Sequence, residues 1–90
     1  MASRVDPEEV DEVMLASEYD VCTVFDLCTV VSMRMPNGYI LVEASACVDP
    51  ADYSEEVGKE ICCERLRDRV WALIGYERKL QEQAEREALK

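Results

Sequence analysis

Asn37-Gly38 stands between two apolar, β-branched runs, "VCTVFDLCTVVSMRM" at 21–35 and "YILVEASACV" at 39–48. No other dipeptide constrains the fold of this chain as much. Both residues tolerate the positive φ of a type I′ turn, so the pattern predicts an antiparallel β-hairpin. With Asn37 and Gly38 as a two-residue loop, Pro36 faces Tyr39. One face of the hairpin then collects the odd-numbered residues from Leu27 to Met35 and the even-numbered residues from Ile40 to Val48. The other face receives Ser32, Arg34, Glu43 and Ser45, and a slip of one residue would bury that polar set. The same register places Cys28 opposite Cys47, where small apolar packing is the expectation, because a bare pair lacks the four ligands of a metal site and the chain has no histidine.

Helices are expected on either side. Asp6-Pro7-Glu8-Glu9 combines a capping carboxylate, a proline where no amide bond is lost, and acids at the positive end of the helix dipole. Val10, Val13 and Met14 recur at helical spacing until Ser17 breaks the stripe, which predicts a short helix over 7–17. After Asp49-Pro50, Ser54 with Glu55 and Glu56 starts a second helix. Its stripe is Val57, Ile61, Leu66, Val70, Leu73 and Ile74, with Trp71 sealing the core edge. Gly58 costs helix stability and therefore marks a close approach of that helix to the sheet. Gly75 either caps or interrupts the helix. Beyond it, "ERKLQEQAEREALK" carries Leu80, Ala84 and Ala88 four apart, a narrow stripe that is marginal alone and compatible with a homodimer.

The expected fold is a single α+β domain over 1–90, with a core at about 7–76 and a charged helical tail at 77–90. Its order is a short N-terminal helix, an antiparallel β-hairpin and a long C-terminal helix, α-β-β-α, with both helices on the apolar face of the sheet.

Twenty acidic against ten basic residues give a net charge of -10. Such a field repels phosphates, so direct binding to nucleic acid or to an anionic membrane is not expected. The favoured target is a protein with a basic surface. Solubility alone is the competing explanation of the charge. Between Asp6 and Asp20 there are acids and no base, and Glu8, Glu9, Asp11, Glu12, Glu18 and Asp20 are the candidate partner-binding residues, on a surface imitating a nucleic-acid backbone. No run has the length of a membrane span and none resembles a signal core, so a cytosolic protein with its five cysteines reduced is expected.

Catalytic equipment is sparse. There is no histidine, phosphate-binding glycine loop, nucleophile elbow or zinc spacing, so neither enzymatic activity, cofactor nor metal is expected. Cys62 and Cys63 point about 100° apart on a helix and cannot jointly grip one metal; one belongs to the core and the other to its rim.

"NGY" at 37–39, "SACVDP" at 45–50, "EEVGKEI" at 55–61 and "VWALIGY" at 70–76, in that order, resemble the gene-product-49/gene-66-like family of small tailed-phage proteins. The resemblance implies a phage origin and expression in the bacterial host cytoplasm. It brings no catalytic residues with it. Against the family pattern, Glu43 stands where glycine is expected and Cys62 and Cys63 where alanine or aromatic residues are. The acidic first helix and the charged tail read as particular to this chain. Together with the acidity, the resemblance leads to the expectation of a non-enzymatic phage accessory protein that binds and inhibits a bacterial host or defence protein, as an anti-CRISPR-like or host-takeover inhibitor. The alternatives are a self-associating structural or regulatory phage protein, or a thiol- or metal-dependent activity.

Overall fold

In a computed structural model that describes residues 4–89, helix α1 (Pro7–Ala16) leads into strands β1 (Glu18–Val24), β2 (Cys28–Arg34) and β3 (Ile40–Ala46). A 3-10 turn at Pro50–Asp52 then precedes helix α2 (Glu55–Ala88). The strands form one antiparallel sheet in the order β1-β2-β3. The α+β arrangement is the expected one, with the hairpin present as β2–β3. A third strand precedes it, inside what reads in sequence as one long run.

The break in that run is the turn Val24–Leu27, closed by the Leu27 N–H donating to the Val24 carbonyl. Phe25 and Asp26 sit at φ 55° and 58° there. Aspartate visits this left-handed region readily, but a phenylalanine there is an outlier, which is why no Gly- or Asn-based signal marks the turn.

The β2–β3 loop also departs from expectation. The Met35 N–H donates to the Tyr39 carbonyl at 2.8 Å and the Gly38 N–H to the Met35 carbonyl at 2.8 Å, so the loop is Pro36-Asn37-Gly38, with only Gly38 at positive φ (91°). Proline decides this. A two-residue loop would need a ladder hydrogen bond from the N–H of Pro36, which does not exist, whereas a three-residue loop draws it from Met35. The register therefore moves by one: Cys28 faces Ala46 rather than Cys47, and Met33 faces Leu41.

The slip inverts β3. Thr29, Val31 and Met33 face α2 as expected, but their partners are Ser45, Glu43 and Leu41. Ile40, Val42, Ala44 and Ala46 turn to the far side. The polar residue brought inward is accommodated by α2: Arg69 pairs with Glu43 at 3.1 Å and donates to the Val42 carbonyl at 3.0 Å. One turn earlier, Arg65 donates to the Ala44 carbonyl at 2.8 Å.

The capping at Asp6 follows the sequence reading, with its carboxylate accepting from the Glu8 N–H while Glu9 accepts from the Asp6 N–H. At the other end, the Ser17 hydroxyl donates to the Val13 carbonyl and closes α1. The core joins Val5 and Val10 to Val31, Met33 and Leu41 of the sheet and to Cys62, Leu66 and Val70 of α2. Gly58, Cys62, Leu66 and Val70 form the buried row of α2 at four-residue spacing, and Val57 is exposed. Helix α1 adds Val10 to the core on the apolar face of the sheet, and its backbone makes its close approach to α2. Gly75 does not interrupt α2, which runs on as a lone helix past Arg78 to Ala88 and stretches the molecule to 61 Å.

Candidate functional site

Of the six candidate acids, three are engaged within the chain. Glu9 pairs with Arg78, Asp11 with Arg67 at 2.8 Å, and Glu18 with Arg34 at 2.7 Å. Glu8, Glu12 and Asp20 are exposed and make no ion pair among the described residues. Glu18 and Asp20 lie on the far face of the sheet, away from α1. The six therefore do not form one surface.

A different grouping emerges between the helices. Met14 and Leu15 of α1 and Cys63 of α2 line a groove of about 610 Å³, with Asp11, Glu60, Glu64 and Arg67 around it. Leu15 is 88% exposed, so an apolar side chain stands open beside carboxylates. Arg67 is already committed, since its guanidinium is bonded to Asp11 and lies over the Trp71 ring, 5.5 Å from the centroid. Glu60 and Glu64, one helical turn apart, are left exposed and unpaired among the described residues. Glu60, Glu64 and Cys63 were not legible as a site in sequence, because their neighbours across the groove come from α1.

Thiol chemistry finds little support. Cys62 is fully buried and bonded to the Thr29 carbonyl, and burial pushes its thiol up, away from the reactive thiolate, against a smaller lowering effect of Arg65. Cys63 lies on the groove, so of the adjacent pair one is core and the other rim. All five cysteines are free thiols, and among the described residues no group of three or more His, Cys, Asp or Glu side chains is placed to hold a metal ion. Burial also raises the Tyr19 hydroxyl, with a smaller contribution from Cys63. That hydroxyl donates to the Met14 carbonyl and ties β1 to α1 beneath the groove.

A second tie fixes the start of α2. The Thr23 hydroxyl donates to Glu55 at 2.6 Å, so the Tyr53 hydroxyl at 2.7 Å must donate to Thr23 and accept from Thr29 at 2.7 Å. This one-way chain secures two strands to the helix N-terminus and satisfies the buried Thr29.

Among the described residues, no helix packs on the far side of the sheet. The central row, Cys22, Val30 and Ala44, is flanked by Ile40 and Val42, respectively 52% and 49% exposed, and only Glu18, Asp20 and Arg34 carry charge there. Among the described residues, no helix is long and apolar enough to cross a membrane.

The model of the phage protein (N4 Gp49/phage Sf6 gene 66) family matches residues 5–83 of this chain. That span includes α1 and the first seven residues of α2 beyond Tyr76. No catalytic function is known for the family. Comparison with curated proteins and with solved structures gave no match.

Proposed function

Because this chain belongs to the phage protein (N4 Gp49/phage Sf6 gene 66) family, we propose that it is a non-enzymatic accessory protein of the infected bacterial cytoplasm. It binds a basic surface of a host or defence protein through the α1–α2 groove, and inhibits that protein by occupying a surface that otherwise holds nucleic acid. The observation carrying this reading is the groove itself: an open Leu15 beside the half-buried Met14 and Cys63, bordered by Glu60 and Glu64, which make no ion pair among the described residues because Arg67, the cation lining the groove, is engaged by Asp11. An apolar floor supplies affinity, and the carboxylates select and steer a cationic partner. Glu8 and Glu12 on α1 extend the same negative field.

The test is capture from bacterial lysate with the tagged wild type and with a variant carrying Glu8, Glu12, Glu60 and Glu64 replaced by glutamine. The reading expects a basic protein retained by the wild type, lost at raised salt, lost from the variant, and freed of its nucleic acid when bound. A partner retained equally by both proteins would remove the groove from the account.

A further inference from the structure

The far face of the sheet is a surface on which carboxylates do not dominate. Its only charges lie at one end, where Glu18 and Arg34 neutralise each other and leave Asp20. Across the middle and the opposite end, β1 presents Cys22 and Val24, β2 presents Cys28 and Val30, and β3 presents Ala44 and Ala46, while Ile40 and Val42 stand in the rows of Arg34 and Asp20. At that apolar end the Cys47 N–H is bonded to the Leu27 carbonyl, which brings the β1–β2 turn beside the exit of β3. Phe25 is 89% exposed there, and Val48 is fully exposed.

We propose that this face packs against the same face of a second copy of the chain. Charge selects the occupant. Two molecules at -10 repel each other as wholes, but a face whose only charges are Glu18, Asp20 and Arg34 meets itself with few opposing carboxylates. The edges leave face-to-face packing as the favoured mode over strand addition at β3, because Arg65 and Arg69 already occupy carbonyls of that strand.

Area sets the strength. Three seven-residue strands span about 24 Å by about 14 Å, a footprint of about 340 Å² per copy. Phe25 adds on the order of 200 Å² from each copy. The total, about 1,100 Å² over both copies, lies at the low end of specific interfaces, so the dimer is reversible and sheets pack about 10 Å apart. The pairing responds to salt in the opposite sense to capture of a basic partner. Screening weakens the attraction of the groove for a cationic surface and relieves the repulsion between two acidic copies.

Sedimentation equilibrium of the full chain under reducing conditions, loaded over about 1–500 µM, tests this. The expected result is a mass rising from monomer to dimer with concentration and shifting toward dimer at raised salt. Val42→Asp and, independently, Ile40→Lys should hold the chain as a monomer while the helical circular dichroism is unchanged. Leu15→Asp, in the groove, should leave the association intact. A monomer throughout that range overturns the proposal, and so does a dimer unaffected by Ile40→Lys or abolished by Leu15→Asp alone.

Discussion

A Cβ atom built on Gly58 would lie 2.2 Å from Oγ1 of Thr29 and 2.7 Å from its Cβ. Thr29 cannot withdraw, since it is fully buried, β-branched and hydrogen-bonded to Tyr53. Helix α2 thus approaches β2 at backbone distance, and this contact sets how deeply Cys62 and Leu66 sit over the sheet.

Gly58→Ala tests that contact by sign. Helix propensity alone would stabilise the variant by about 1 kcal/mol, whereas overpacking against Thr29 costs about 1–3 kcal/mol and has to displace the hydroxyl chain as well. The net expectation is a loss of about 2 kcal/mol in chemical denaturation. A gain would mean that the helix stands off the sheet.

The loop makes an unusual demand on a deletion. Removing Pro36 leaves Asn-Gly as a two-residue loop between Met35 and Tyr39, which are already partners, and Met35 supplies the N–H that proline lacks. The shortened chain should retain its fold to within about 1 kcal/mol, with Met33 still facing Leu41 in cross-strand nuclear Overhauser contacts. A shift of those contacts by one residue would contradict the observed register.

Arg65 and Arg69 protect the β3 edge, and Arg69 also pairs with Glu43. Replacing both by alanine leaves Glu43 half-buried without its partner and opens edge carbonyls, at a cost of about 1–2 kcal/mol. Light scattering on warming should report aggregation earlier than in the wild type. Replacing the exposed Lys59 should not have this effect.

The buried thiol gives a pH signature. Cys62 is raised from its ordinary 9.0 by burial, so its contribution to stability is complete below that value and disappears as pH rises through the higher folded value. Thermal unfolding from pH 8 upward should therefore show a declining midpoint, with a flatter decline in Cys62→Ala. Thiol titration of the native protein should label the exposed Cys22 before Cys62.

The starts of both helices and one close contact were readable from single residues. Asp6 and Glu9 announce the start of α1, Ser54 that of α2, and Gly58 the close approach to the sheet. The pair Cys62 and Cys63 read as one core and one rim residue without saying which, and the stripe of large aliphatics included Val57, which is exposed. The third strand was hidden by Phe25, a poor candidate for a turn. One missing N–H, on Pro36, turned β3 over and moved Ile40 and Val42 from the expected core to the far face. Charge counted along the chain also overstated the acidity of α1, since Arg67 and Arg78 arrive from more than fifty residues away to neutralise Asp11 and Glu9.

Mapping the partner's footprint on the protein decides whether it binds the α1–α2 groove. Chemical-shift changes are followed at the Met14 and Leu15 methyl groups and at the Val30 and Val42 methyl groups while the captured basic protein is titrated in. The groove methyls should shift at substoichiometric partner while the sheet methyls keep their positions, and the shifts should reverse with added salt. Shifts confined to Val30 and Val42, with Met14 and Leu15 unmoved, would contradict groove binding and place the partner on the sheet.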